Sequence, residues 1–198
     1  MRSMRALLLA ALLVFLGRGG AGERAPCARS GGRQRTLAMI KPDAAASEEE
    51  IVALAHRHGL RVVARRRLNL SPAEVRLFYR EHRARPFFPS LVSFMTSGPV
   101  VALVLEGEDA VPAWRELMGP TNSQTARAVA RASIRAQYGT DGQRNAVHGS
   151  DSPCSAQREV SFFFGARSLV PIQLRLIFDR MVAMLDAMQR QPAPRPPP

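Results

Sequence analysis

The chain has 198 residues, 46% of them hydrophobic and 22% charged, with a formal net charge of +12. This length and composition exclude a mainly disordered chain and fit one domain with a sizeable core. The charge is uneven, because residues 1–35 carry seven Arg and one Glu, whereas residues 36–164 carry sixteen basic and thirteen acidic residues. The mildly basic middle predicts anionic ligands and requires no specific nucleic-acid surface.

Residues 1–34 form a separate N-terminal segment, with a basic start and an apolar run over residues 6–16. Such a run spans roughly 16 Å as a helix, about half of a bilayer core, so it predicts a targeting segment or weak anchor rather than a normal membrane span. The run is typical of a secretory signal, whereas the Arg-rich stretch after it is typical of a mitochondrial presequence. We expect a mitochondrial location, with the secretory pathway or membrane anchoring as the alternative.

The folded part begins near residue 35 and alternates between strand and helix signals. In chain order we predict a strand over residues 35–40, a helix ending at Gly59, a strand over 60–70, a helix after Ser71, a helix over 88–97, a strand over 100–105, a helix over 109–118, a long loop over 121–143, a strand over 145–148 and a helix over 152–163. Ser47 with Glu50 and Ser71 with Glu74 each match a capping box. The order predicts an α+β domain over residues 35–164, with a ferredoxin-like antiparallel sheet and helices packed on one face of it.

Beyond the predicted domain the sequence changes character. Residues 165–188 carry apolar side chains at helical spacing and predict an amphipathic helical extension, which docks on its own core or on a partner. Residues 189–198 are rich in proline and predict a disordered tail. The two cysteines, Cys27 and Cys154, lack metal-ligand spacing, so we expect no disulfide framework and a reducing compartment or indifference to redox state.

The stretch RNAVHGSDSP around His148 carries the strongest chemical signal in the chain. His148 closes a predicted strand and a helix is predicted from Ser152, so backbone N–H groups at the helix start create an expected anion site beside the imidazole. Gly149 allows a ligand to approach closely, and Ser150 and Asp151 can orient the ring or a metal. Neutral imidazole is also a nucleophile, which can attack phosphorus and hold a phosphoryl group covalently.

Other chemistries fit this stretch poorly. The sequence HGSDS is not the G-x-S-x-G elbow of a serine hydrolase, and its Ser, His and Asp lie too close in the chain to form a triad. His56, His58 and His82 lie on predicted helices without metal-ligand spacing. The chain contains neither a P-loop nor a kinase Gly-rich loop.

Several motifs in a fixed order resemble the nucleoside diphosphate kinase family. They are MIKPDA, FYREHRARPFF, FMTSGPVVALVLEG, WRELMGPTN, SIRAQYG and RNAVHGSDS, and the match runs over residues 36–164. Three extra residues between Thr121 and Arg135 resemble the group II branch of the family, type 6. The resemblance implies a Mg²⁺-dependent ping-pong transfer of phosphate through phosphohistidine, with ATP or another nucleoside triphosphate as donor and a nucleoside diphosphate as acceptor.

The resemblance also implies a role for individual residues. It makes His148 the phosphoryl acceptor, with Glu159 on the other ring nitrogen and Ser150 bracing Glu159. The remaining implied roles are phosphate binding by Lys41, Tyr79, Arg115, Thr121 and Arg135, sugar contacts by Asn145 and Lys41, base stacking by Phe87, and a contact through water from Asp151 to Mg²⁺.

Lys41 is the only lysine in a chain with 27 arginines. A composition biased towards arginine explains the arginines, but it makes one retained lysine informative. An ammonium group is a compact donor that fits between a sugar hydroxyl and the transferring phosphate, whereas a planar guanidinium is bulkier and binds two oxygens at once. We therefore interpret Lys41 as a functional lysine.

Two functional hypotheses remain open on the sequence. The first is an active kinase, and the second is an interaction module of the same fold with little activity, which binds a protein partner through altered loops and residues 165–188. The intact set of expected site residues favours the enzyme. The family's usual aromatic-rich ending is missing after Phe164, so a homo-oligomer stays open, and nucleic-acid binding through Arg65, Arg66 and Arg67 is the weakest alternative.

Overall fold

The computed structural model describes residues 32–165 and Met184. The predicted targeting segment, helical extension and Pro-rich tail therefore lie outside the described residues, except for residues 32–34, Gly165 and Met184. Within the described part of the chain, no helix combines the length and the apolar character that crossing a membrane requires.

One antiparallel sheet of four strands organises the domain. The strands are β1 (Arg33–Ile40), β2 (Arg61–Leu68), β3 (Val100–Glu108) and β4 (Val147–Gly149), and their spatial order is β2-β3-β1-β4. β1 pairs with β3 along its whole length, whereas the short β4 pairs only with residues 38–40. The predicted α+β class with an antiparallel sheet is confirmed. β4, which contains His148, lies at one edge of this sheet.

Seven α-helices and two 3₁₀ helices accompany the strands within the described residues. They are α1 (Glu48–Arg57), α2 (Pro72–Phe78), α3 (Phe88–Met95), α4 (Ala110–Met118), α5 (Ser123–Val129), α6 (Ile134–Tyr138) and α7 (Pro153–Phe164), with 3₁₀ helices at Pro42–Ser47 and Arg80–His82. The prediction of a long loop over residues 121–143 is wrong, because α5 and α6 lie there. Asn122 and Ser133 cap these helices through their side chains, but seven and five residues are too few to show an apolar period.

The two predicted capping boxes have different outcomes. At the start of α2, Ser71 accepts a hydrogen bond from the N–H of Glu74, and the Glu74 carboxylate accepts from the N–H of Ser71. At the start of α1, Ser47 makes no capping hydrogen bond. The capping prediction for Ser47 is wrong because the 3₁₀ helix Pro42–Ser47 runs directly into α1, so the chain is not extended where a cap requires it.

Helices cover both faces of the sheet, so the prediction that they pack on one face is wrong. Alternate residues of β1 contribute to two separate cores: Ala38 and Ile40 pack in one with α1 and α4, whereas Leu37 and Met39 pack in the other with α2, α3 and α7. Residues 100–105 of β3 are all buried, as their unbroken apolar run predicts. β1 and β3 are therefore packed on both faces at the centre of the sheet, and the edge strand β4 pairs with β1.

Cys154 lies in the first turn of α7 and is disulfide-bonded. The expectation of a reducing compartment or of indifference to redox state is therefore wrong for this residue. Cysteine spacing indicates metal sites and dense disulfide frameworks, so it could not predict this single bond.

Three arginine side chains converge on Glu106 of β3. Hydrogen bonds to its carboxylate come from Arg61 on β2 over 2.7 Å and from Arg35 and Arg33 on β1 over 2.9 Å each. Arg35 and Arg61 are also its direct cross-strand neighbours, so one carboxylate joins three adjacent strands. These hydrogen bonds, that of Arg61 first, lower the pKa of Glu106 to about 2.

We expect Glu106→Gln to remove a pH-dependent part of the stability. A carboxyl group whose pKa is lower in the folded chain stabilises the fold above its unfolded value, here 4.5, and this contribution is lost as the pH falls towards 2. Urea unfolding midpoints of the wild type and Glu106→Gln should therefore differ at pH 7 and converge near pH 2. Glu116→Gln, exposed on α4, is the control, and an effect of Glu106→Gln no larger than that of the control would contradict this role.

Candidate active site

His148 is the middle residue of β4, at the edge of the sheet. It pairs with Met39 of β1, and its side chain is 18% exposed. The rings of Phe78 and Tyr79, at the end of α2, approach the imidazole edge-on, with centroid distances of 5.3 and 5.7 Å. The imidazole is thus packed against aromatic rings while part of it stays accessible.

A carboxylate fixes the orientation of this imidazole. His148 Nε2 lies 3.0 Å from Oε2 of Glu159 on α7, and the same oxygen accepts a 2.8 Å hydrogen bond from Ser150 Oγ. Burial acts to raise the pKa of Glu159, but hydrogen bonds from His148 and Ser150 outweigh it, so this pKa lies below its usual value. An ionised acceptor favours the ring proton on Nε2, which leaves the lone pair on Nδ1.

Ser150 is fixed by the backbone of the central strand. Its hydroxyl accepts from the N–H of Leu37, and its own N–H donates to the Leu37 carbonyl, both over 3.3 Å. The chain β1–Ser150–Glu159–His148 therefore ties the ring to the middle of the sheet. Nδ1 of His148 makes no hydrogen bond to any residue in the described part of the chain, so it is the nitrogen available to a ligand.

Lys41 follows β1 directly, and its ammonium group is buried with polar partners. Nζ donates to Oδ1 of Asn145 over 2.6 Å and to the carbonyl of Gln143 over 3.2 Å, and the residue is 7% exposed. Burial, together with the positive charge of Arg135, lowers the pKa of Lys41 to about 8. A bound anion would stabilise the charged form of this group, because the attraction between opposite charges compensates for the solvation lost on burial.

Asn145 holds the loops around Lys41 together. Its Nδ2 donates to the carbonyl of Thr121 over 2.8 Å and to the carbonyl of Gly142 over 3.0 Å, while its Oδ1 accepts from Lys41. The residue is almost fully buried. Its amide is therefore fixed with the oxygen towards the ammonium group.

Two arginines add positive charge to the same region. Arg135 on α6 donates to the carbonyls of Gly119 and Val147 over 2.8 and 3.2 Å, while its buried Nε makes no hydrogen bond to any described residue. Burial and the charge of Arg115 lower the pKa of Arg135 to about 10. Arg115 on α4 is half-exposed and forms an ion pair with Asp151.

The remaining expected residues join the site in different ways. The buried hydroxyl of Tyr79 has no hydrogen-bond partner among the described residues, and burial raises its pKa well above the usual range. His82 lies between the rings of Tyr79 and Phe87, at centroid distances of 6.1 and 5.7 Å. Phe87 is 48% exposed, and Thr121 meets the site through its carbonyl, which accepts from Asn145.

The start of α7 differs from the expected anion site. Ser152 and Ser155 form a capping box there, in which each hydroxyl accepts from the other residue's N–H. These polar groups are therefore engaged within the protein, and the positive charge near His148 comes from the side chains of Lys41, Arg115 and Arg135.

Two residues that support the site were not predicted from the sequence. Trp114 donates from Nε1 to the carbonyl of His148 over 3.2 Å, and a Cβ at Gly149 would clash with its ring. The close approach of Trp114 therefore requires glycine at position 149. Asp43 accepts from the N–H of Ala146 through Oδ2 over 3.0 Å. The only sequence signals of these contacts are positions in the chain. Asp43 lies two residues after Lys41, and Trp114 lies next to Arg115.

The other histidines form no metal centre within the described residues. No three His, Cys, Asp or Glu side chains are grouped there in a way that could hold a metal ion. His58 Nδ1 lies 2.9 Å from the carbonyl of Leu54 on its own helix, and His82 contacts aromatic rings.

Comparison with known proteins gives one consistent family. A family model described as nucleoside diphosphate kinase matches residues 34–169. The chain is 49% identical over 139 residues to the nucleoside diphosphate kinase of Aquifex aeolicus, covering 69% of this chain and 98% of that protein. It is 45% identical over 141 residues to human nucleoside diphosphate kinase homolog 5, covering 71% of this chain and 66% of that protein.

Solved structures agree with the sequence comparisons. The crystal structure of the Aquifex aeolicus nucleoside diphosphate kinase superposes with a TM-score of 0.66 at 49% identity, covering 68% of this chain and 97% of that chain. A halophilic nucleoside diphosphate kinase from Halobacterium salinarum in complex with CDP superposes with a TM-score of 0.62 at 37% identity, covering 71% of this chain and 93% of that chain.

The single lysine makes the electrostatics of this site directly measurable. In protein labelled with ¹³C at lysine Cε, we expect one side-chain resonance that titrates with a midpoint of about 8, instead of the ordinary value of 10.5. Because the unfolded chain holds this proton more tightly, the free energy of unfolding should rise as the pH increases from 8 to 10.5. Titration in concentrated urea, where the midpoint should return to the ordinary value, is the control. A midpoint near 10.5 in the folded protein would contradict burial of the ammonium group.

Proposed function

The chain belongs to the nucleoside diphosphate kinase family, and we propose that it moves the terminal phosphate of a nucleoside triphosphate to a nucleoside diphosphate through a phosphorylated His148. Transfer of a phosphate group between nucleotides is the general activity of this enzyme class. The observation that carries the histidine proposal is the accessible imidazole with its Nε2 held by Glu159. Narrower assignment to the type 6 branch stays a prediction.

In the first half-reaction the lone pair of Nδ1 attacks the terminal phosphorus of the triphosphate. A N–P bond forms, the bond from phosphorus to the bridging oxygen breaks, and the diphosphate leaves with the electron pair. The ring then carries positive charge, which the Glu159 carboxylate stabilises through the proton on Nε2. In the second half-reaction a terminal oxygen of another diphosphate attacks the same phosphorus, and the imidazole leaves unchanged.

The cations around His148 supply the stabilisation that this transfer needs. Phosphoryl transfer depends mainly on positioned positive charge, because negative charge is spread over the transferring oxygens. Lys41 and Arg135 carry lowered pKa values, and the charge of Arg115 contributes to that of Arg135, so an anion between them relieves an existing electrostatic cost. We assign the phosphates to these three side chains and to Tyr79, with Thr121 at the same end of the site.

The nucleoside end of the ligand fits the remaining residues. Lys41 and Asn145 share a short hydrogen bond, and we assign the ribose hydroxyls to these two side chains. Phe87 exposes nearly half of its surface, which suits stacking on a base and selects weakly among bases. The solved complex of the Halobacterium relative with CDP supports a nucleotide as the ligand.

Mg²⁺ fits this site as an ion brought by the nucleotide. The described residues form no cage of three metal-binding side chains, and Asp151 offers one exposed carboxylate beside Arg115. Mg²⁺ commonly keeps several waters and binds through one or two carboxylates together with substrate phosphates. Asp151 would hold such an ion through water, and the bound ion would neutralise charge on the phosphates.

Replacement of His148 by glutamine tests the central proposal. Incubation with γ-³²P-labelled ATP and Mg²⁺ should label the wild type with an acid-labile, alkali-stable phosphate, and His148→Gln should lose both this label and nucleotide exchange. His56→Gln, exposed on α1, should keep both. Exchange by His148→Gln at the wild-type rate would overturn the proposal. Label that forms on the wild type only after a partner protein is added would instead favour the interaction module.

We expect Lys41→Arg to lose most of the transfer activity, by about 100-fold in kcat/KM, while the fold persists. The ammonium group lies within 2.6 Å of Asn145 and 3.2 Å of the Gln143 carbonyl, so a guanidinium has no room without displacing them. Steady-state kinetics and a thermal melt measure the two effects separately. The reverse exchange at an exposed position, Arg57→Lys on α1, is the matched control, and near-normal turnover by Lys41→Arg would reject a specific role for the lysine.

A further inference from the structure

A strained turn lies between Asn145 and His148, two residues of the proposed site. Ala146 directly precedes β4, is fully buried and has a φ of 65°. The N–H of Val147 donates to the carbonyl of Asn145 over 2.7 Å, so the turn closes over three residues. A positive φ is unfavourable for alanine, and a tight turn of this kind persists only where its surroundings hold it.

Both backbone groups of Ala146 are held by one short segment. Its N–H donates to Oδ2 of Asp43 over 3.0 Å, and its carbonyl accepts from the N–H of Lys41 over 2.8 Å. Lys41 and Asp43 are two residues apart at the end of β1. The segment that provides the buried ammonium group therefore also provides the two hydrogen bonds that hold the turn.

The conformation of this turn determines how neighbouring site residues face each other. Asn145, on one side of it, accepts from Lys41 Nζ over 2.6 Å, and on the other side Val147 and His148 pair with β1. A change of φ at Ala146 to an ordinary negative value would redirect the chain between Asn145 and His148. Reacting groups lose rate steeply when they are misplaced by about 1 Å.

We propose that Asp43 is a positioning residue, which holds the strained turn at Ala146 and thereby sets Asn145 and Lys41 in register with His148. The proposal rests on the proposed phosphotransfer for its effect on rate, but its effect on the turn is independent of any activity. In this role Asp43 acts through its hydrogen bond to the backbone of Ala146.

A second action of Asp43 has to be separated from the first. Its negative charge, with that of Asp141, acts to raise the pKa of Lys41. Asn at position 43 keeps an oxygen that can accept from Ala146 but removes the charge, whereas Ala removes both. Glycine at position 146 adopts a positive φ at little cost, so Ala146→Gly makes the turn independent of its acceptor.

The test is a set of four variants: Asp43→Asn, Asp43→Ala, Ala146→Gly and the double variant Asp43→Ala/Ala146→Gly. We expect Asp43→Ala to lower kcat by roughly tenfold or more, Asp43→Asn to stay close to the wild type, and the double variant to recover most of the loss. Urea unfolding should show the same pattern, because Asp43→Ala should destabilise the wild-type chain more than it destabilises the Ala146→Gly variant. Asp141→Asn is the matched charge control, and it should shift the Lys41 titration without the kcat pattern of Asp43→Ala.

Each outcome decides the proposal. Equal losses in Asp43→Asn and Asp43→Ala would overturn it in favour of the charge on Lys41, and so would a double variant as impaired as Asp43→Ala. If Asp43→Ala alone does not fold, a folded and active double variant supports the proposal, whereas a double variant that is unfolded or inactive overturns it. If the wild type itself transfers no phosphate, the proposed function fails, while the unfolding data still show whether Asp43 holds the turn.

Discussion

The pairing of a three-residue edge strand with the centre of the sheet is the interaction on which the site depends. β4 has too few residues to be stable alone, and residues 38–40 of β1 hold it in register. One further hydrogen bond, from the N–H of Lys41 to the carbonyl of Ala146, continues this contact beyond the last paired residues. His148 and Lys41 are therefore fixed relative to each other by β1, a central strand of the sheet.

Opposite charges are then arranged around one imidazole. The ionised Glu159 lies at Nε2, tied through Ser150 to the backbone of Leu37. Arg115 forms an ion pair with Asp151, whereas burial opposes the charge of both Lys41 and Arg135. The fold thus keeps an electrostatic cost that a bound polyphosphate would relieve, as expected of a site that stabilises an anionic transition state.

Much of the fold and of the site follows from local patterns. The unbroken apolar run at residues 100–105 predicts a buried strand and the Ser71 capping box predicts a helix start, and both agree with the structure. The family resemblance, rather than a local pattern, implied that Glu159 contacts His148, and the fold brings these two side chains within 3.0 Å. Local patterns fail where a neighbour in space decides. Ser47 resembles a cap, but the preceding 3₁₀ helix removes the extended geometry, and α5 and α6 are too short to show a period.

The sequence by itself determined the family, through motifs in a fixed order, and it singled out two candidate residues, a histidine that closes a predicted strand and one lysine among arginines. Residue types and their order along the chain are sufficient to identify these features, because none of them depends on knowing which distant residues are in contact. Only the tertiary structure decided which nitrogen of His148 is accessible, that burial lowers the pKa of Lys41, and that Asp43 and Trp114 support the strand that carries the histidine. These properties arise from contacts between residues that lie 11 to 103 positions apart, and local patterns in a sequence contain no measure of such distances.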